Sequence, residues 1–179
     1  MEYFTDERDG QTYRTVKIGN TVWMAENLNY KTADSWCYDN KESNGKKYGR
    51  LYTYEAAKAA CPAGWTLPIS VHWESLAAYT GAISTAGYRL RARNGWDSVK
   101  DKSGYGNDLY GFSALPGGCR AADGSFRAVG LVGAWWVGGS GKGDKACYRL
   151  MCSDNDAVGE EESLISLGFS VRCVCRSNY

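Results

Sequence analysis

Histidine is almost absent from this chain: among 179 residues there is one, His72. A lone imidazole rules out most multi-histidine metal sites and weakens any histidine-dependent catalysis. Proline and phenylalanine are scarce too, at 3 and 4 residues. No apolar run approaches the roughly 18 residues needed to cross a bilayer. Neither sign of charge prevails, with 21 Lys and Arg against 20 Asp and Glu and a formal net charge of +1. A near-neutral chain without a basic run offers no electrostatic footprint for nucleic acid or anionic lipid. The opening residues, Met1 to Asp6, lack the basic region and apolar core of a signal peptide.

What the chain does hold is 7 Trp, 13 Tyr and 22 Gly. Aromatics fill half-buried pleated surfaces and Gly supplies turn conformations, so this mix favours short strands over long helices. The length suits one domain over residues 1–179, large enough to fold without a metal or a disulfide. The 7 cysteines (Cys37, Cys61, Cys119, Cys147, Cys152, Cys173 and Cys175) leave at least one unpaired within the chain. None has zinc-ligand spacing, so buried or disulfide-bonded thiols are expected rather than a metal centre.

Residues 1–50 read as a hairpin followed by a turn-rich segment. Two strand-like runs, Thr12 to Ile18 and Thr21 to Asn27, flank a Gly19-Asn20 turn. The stretch Tyr52 to Cys61 is a strong helix former that Pro62 closes. A second helix starts near Ser70, its expected N-cap. Trp73, Leu76, Ala77 and Thr80 form its apolar stripe, and Gly81 stops it. Residues 83–110 show no clear periodicity. Strand candidates then follow at Phe126–Val129, Ala134–Val137, Cys147–Cys152 and Gly168–Cys175, with Asp154 to Glu162 as an acidic loop. Two helices early and several strands late predict an α+β fold with a twisted antiparallel sheet and long loops.

Six blocks carry a resemblance: Asp9–Gly19 (DGQTYRTVKIG), Trp23–Tyr30 (WMAENLNY), Tyr48–Tyr52 (YGRLY), Cys61–Pro68 (CPAGWTLP), Phe112–Gly118 (FSALPGG) and Gly168–Val174 (GFSVRCV). In order and almost end to end, they resemble the Fibrobacter succinogenes major paralogous domain. Residues 56–76 also resemble the opening of a C-type-lectin-like domain. That second resemblance implies a disulfide between Cys61 and Cys173. The first implies a partner for Cys37 shortly before Tyr48, where this chain has Gly45, and an acidic residue where it has His72. His72 is therefore expected to be a solvent-facing or partly buried helix residue without a metal, whose loss changes stability by under about 1 kcal/mol.

Residues 119–167 resemble the variable region of retroelement-diversified proteins, several of which use a C-type-lectin-like scaffold. Framework-like residues such as Trp135 and Arg149 alternate there with chemically unrelated ones. The resemblance implies a ligand-binding set of Arg120, Arg127, Leu131, Val132, Ala134, Trp136, Lys142, Asp144, Tyr148, Leu150, Cys152 and Asp154. Period-two alternation puts Tyr148, Leu150 and Cys152 on one face of their strand, and Cys147, Arg149 and Met151 on the other. Tyr148, Leu150, Arg127, Val132, Ala134 and Trp136 should then share an exposed surface, with Trp23, Trp65, Trp73 and Phe169 mostly buried.

The Trp135-Trp136 pair could stack on sugar rings, but one of the two is expected in the core. The acidic run lacks EF-hand spacing and the sugar-binding triplets of calcium-dependent lectins, so no metal is expected. The implied function is noncatalytic recognition of a protein or glycan, without a cofactor, at the cell surface, outside the cell or on a virion. One alternative is a structural module of a surface or virion assembly. The other is an oxidase resembling formylglycine-generating enzymes, with Cys173 and Cys175 as its cysteine pair.

Overall fold

A computed structural model describes residues 2–176. Strand β1 (Glu2–Thr5) pairs with β2 (Thr12–Ile18), which forms the expected hairpin with β3 (Thr21–Met24). Next come β4 (Ser35–Trp36), a 3-10 turn (Tyr38–Asn40), α1 (Glu42–Tyr48), β5 (Leu51–Tyr52), α2 (Tyr54–Ala60), α3 (Ser70–Tyr79) and α4 (Ile83–Leu90). The rest of the chain supplies β6 (Cys119–Arg120), β7 (Phe126–Arg127), β8 (Val132–Trp136), β9 (Lys145–Cys152), β10 (Asn155–Leu164), β11 (Phe169–Ser170) and β12 (Val174–Arg176).

These strands build a four-stranded sheet in the order β1-β2-β3-β12 and a six-stranded sheet in the order β10-β9-β8-β11-β5-β4. Strands β6 and β7 form a separate hairpin. Every pairing between these strands is antiparallel except β8 with β11. The protein is thus a mixed α/β fold with four α-helices among the described residues, rather than the two expected.

The large sheet separates two buried clusters. Trp135, Val137 and Met151 face Trp73, Leu76, Ala86 and Leu90 of α3 and α4. Ala134, Trp136 and Ala146 face Tyr54, Ala57 and Ala60 of α2, together with Phe169 and Cys173. Cys61 caps the C-terminus of α2 and is bonded to Cys173, with Cα atoms 5.8 Å apart. The pairing implied by resemblance is present, and it joins a helix end to the segment that leads into β12.

The sequence reading did not place the short strands β1, β4, β5 and β6, and it missed three larger features for identifiable reasons. In α4, Ala86, Gly87 and Leu90 are the buried stripe, but the glycine disguises it. A Cβ on Gly87 would stand 2.5 Å from the Ala157 carbonyl oxygen, so helix and strand meet there backbone to backbone. In α1, the sequence ESNGKKY has weak intrinsic helicity, and burial of Gly45 and Tyr48 holds the helix instead. The acidic run is no loop: it is β10, the outermost strand, with a bulge between Asn155 and Gly159. Carboxylates oppose strand propensity in general but suit an edge, where charge discourages pairing with other chains.

The cap of α3 also differs from expectation. Ile69, not Ser70, is the N-cap residue, and it has no side-chain acceptor to offer. Its own backbone N–H donates to Nδ1 of His72 at 3.1 Å, the return half of a capping box. His72→Ala should therefore cost about 1 kcal/mol rather than less, in line with the loss of a cap. His72→Glu should recover most of that cost in urea unfolding, because a carboxylate at this position accepts the same bond. Equal stability of His72→Ala and the parent would discount the cap.

Gly45 presents a second local test. Its missing Cβ would lie 2.5 Å from Sγ of Cys37, a thiol that is buried and unpaired. The glycine stands where relatives were expected to offer Cys37 a partner. Gly45→Cys should form a second disulfide, read as the loss of two free thiols on mass labelling. For so short a loop it should add about 2 kcal/mol of stability. Six labelled thiols in the oxidised variant, rather than four, would contradict this geometry.

Candidate functional site

Strands β8, β9 and β10 set three cross-strand rows on one face of the large sheet. Trp136 opposes Tyr148, which opposes Glu161; Ala134 opposes Leu150, which opposes Gly159; Val132 opposes Cys152, which opposes Asn155. Gly118 bridges in parallel to Gly133, bringing Cys119 alongside β8. Tyr148, Leu150, Cys152, Val132 and Cys119 are all half-buried. The opposite face is closed: Gly133, Trp135, Arg149 and Met151 are buried. Arg149 there pairs with Glu160 and lies 3.9 Å from Glu74. The period-two reading therefore assigned the faces correctly.

It did not assign how much of the outer face is covered. Trp136 is 0% and Ala134 1% exposed, so neither belongs to an exposed surface. Trp136 is enclosed by Phe169 (ring centroids 4.6 Å apart), Tyr54 (5.4 Å) and Tyr148 (6.4 Å). Its indole N–H donates to the Tyr52 carbonyl at 2.7 Å. The α2 end of the molecule packs onto this part of the sheet, which alternation within one strand cannot reveal. Among the residues expected inside, Trp23, Trp73 and Phe169 are buried, whereas Trp65 is half-buried and packs beside Phe4.

The remaining members of the set fall into groups. Arg120 and Arg127 lie on the β6–β7 hairpin beside the face. The Arg120 guanidinium stacks 3.9 Å above the Trp36 ring, and Arg127 is exposed and tied to Ser125 and Asp123. Leu131 is exposed just before β8. Asp154 lies at the β9–β10 turn, where its carbonyl accepts from Lys102 Nζ at 3.5 Å. Lys142 and Asp144 are exposed in the β8–β9 connection, where the neighbouring Gly141 N–H donates to the Tyr54 hydroxyl. They join a different rim from Leu131 and Asp154, because β8 and β9 run antiparallel.

Two members of the face were not in the expected set. Glu161 accepts a 2.9 Å hydrogen bond from the Tyr148 hydroxyl, and Cys119 flanks β8. Finding Glu161 required knowing that β10 is a strand. Burial, then the Glu161 bond, pushes the Tyr148 phenol up to about 12. Burial also raises the Cys119 and Cys152 thiols above their ordinary value. At neutral pH these three groups are uncharged, so the face offers an aromatic hydroxyl and two polarizable thiols rather than an activated nucleophile. The cysteine pair of the oxidase alternative is not available either, since Cys173 is bonded to Cys61.

No group of three or more His, Cys, Asp or Glu side chains that could hold a metal occurs among the described residues. No helix there is long and apolar enough to cross a membrane.

The structure thus defines a mixed α/β domain, clamped by one disulfide, with a sheet closed on one face and half-open on the other. Residues 16–175 match the family model described as the Fibrobacter succinogenes major domain, and the chain belongs to that family. No curated protein and no solved structure matches the chain.

Proposed function

We propose that the domain is a C-type-lectin-like recognition module that binds a protein or glycan through the half-open face of β8–β10 and the adjoining β6–β7 hairpin. The observation that carries this reading is the asymmetry of one sheet. Behind it, Trp135, Arg149 and Met151 are locked in the core; in front, Val132, Tyr148, Leu150, Cys152 and Cys119 keep part of their surface in solvent. Substitutions on the front change contact chemistry at small cost to the fold, whereas those behind open cavities or strand charges. A diversified variable region needs such a division. The front also combines an aromatic and two arginines with apolar side chains, as binding hot spots do. The Cys61–Cys173 bond suits an oxidising location, which supports the cell surface, the extracellular space or a virion.

The test is selection of ligands from a glycan array and a phage-displayed peptide library, followed by affinity measurement on variants. Leu150→Asp and Tyr148→Ala should each weaken the selected ligands about tenfold or more, the scale of losing an interface anchor. Ligands insensitive to both variants would place recognition elsewhere and reject the reading.

A further inference from the structure

A cleft away from the large sheet's open face has no part in the function proposed above. It consists of two recesses that meet at Arg14. One, of about 230 Å3, is walled by Val16, Ala25, Tyr110 and Gly111. The other, of about 220 Å3, is lined by polar groups that include Gln11, Asn29, Lys46 and Lys47. Each volume is on the scale of a single sugar ring.

Arg14 is held in place rather than loose. Its backbone N–H donates to Glu26 Oε2 at 2.6 Å, its Nη2 donates to the Ala25 carbonyl, and its Nε lies 3.7 Å from Glu26 Oε1. Tyr110 is likewise supported, packed edge-on against Tyr79 with ring centroids 5.5 Å apart.

The two recesses differ in chemistry in a way that suits one ligand class. The apolar recess offers an aromatic ring and aliphatic carbons, which accept the C–H face of a pyranose. The polar recess offers side-chain amides, which bind hydroxyls. The polar recess is lined by three cations, Arg14, Lys46 and Lys47, and by one carboxylate, Glu26, which Arg14 already faces. An anionic group on the ligand would correct that imbalance by pairing with the exposed ammonium groups of Lys46 and Lys47, beside an Arg14 already tied to Ala25 and Glu26.

We propose that this cleft binds a saccharide bearing a carboxylate, a uronic-acid unit, with a ring against Tyr110 and the acid toward Arg14, Lys46 and Lys47.

The proposal is independent of the sheet face, and the experiment keeps the two apart. Digalacturonate and its neutral counterpart, digalactose, are titrated calorimetrically into the whole domain. The acid should bind with a dissociation constant of about 1 mM or tighter, and at least about tenfold more tightly than the neutral sugar, the difference shrinking as salt screens the charges. Lys46→Glu combined with Lys47→Glu, both on exposed side chains, should weaken the acid about tenfold and leave the melting temperature near that of the parent. Tyr110→Ala should weaken both sugars alike. Leu150→Asp, on the sheet face, should leave both unchanged. Absence of saturable binding, equal affinity for the two sugars, or indifference to the lysine reversal would each overturn the proposal.

Discussion

Breaking the Cys61–Cys173 bond should be among the most destabilising single changes this domain can suffer. The bond closes a loop of 112 residues, and in the chain-entropy account a loop of that size contributes about 4–5 kcal/mol. Cys173 is fully buried within the cluster that includes Ala57, Ala60 and Trp136, so the link also fixes α2 against the large sheet's outer face. A Cys61→Ser, Cys173→Ser variant should melt about 8–20 °C below the parent, taking about 2–4 °C per kcal/mol for a chain of this length. Dithiothreitol should bring the parent down to a similar value. A melting point moved by only a degree or two in both cases would mean that the two ends are held by packing alone.

Asn27→Leu should cost about as much, for a different reason. Asn27 is buried, and its Oδ1 accepts from Trp135 Nε1 at 2.9 Å and from Arg172 Nε and Nη2 at 3.2 and 3.0 Å. Its Nδ2 donates to the Tyr48 carbonyl at 2.8 Å and lies 3.4 Å from the Ser170 hydroxyl. One amide thus ties β8, β11 and the end of α1 to the Arg172 guanidinium. That guanidinium is fully buried, with burial pushing its pKa down, and the carbonyls of Phe112 and Ser113 are its other acceptors.

Removing the amide leaves a buried cation short of its main acceptor, an event worth about 3–5 kcal/mol. Urea unfolding of Asn27→Leu should show that loss. Adding Arg172→Met should return much of it, because the stranded charge is then gone. Additive losses in the double variant would show that the two side chains are not energetically coupled.

What the sequence made legible follows the strength of the local signal. The β2–β3 hairpin, α2 and α3 stand where turn residues, helix formers and a 3.6-period stripe placed them. The helix α4 and the strand β10 were hidden because each serves a neighbour. Gly87 is glycine to admit the β10 backbone, and Glu160 is acidic because Arg149 faces it. The candidate face was half legible: alternation put Tyr148, Leu150 and Cys152 together. Only packing could show that α2 and Phe169 roof the Trp136 end of that face. Lys142 and Asp144 were grouped with it through the resemblance of residues 119–167 to a variable region, and the antiparallel hairpin carries them to the other rim.

The claim that this half-open face is where the domain meets its ligand can be tested through its own thiols. Cys119 and Cys152 are half-buried on the face, while Cys175, also half-buried, lies on β12 in the other sheet. Alkylation rates of the three thiols are measured with and without a saturating ligand from the array or library. The account predicts that Cys119 and Cys152 slow about tenfold or more, as residues within a water-excluding interface should, while Cys175 reacts unchanged. Unaltered rates at Cys119 and Cys152 under saturation would contradict it.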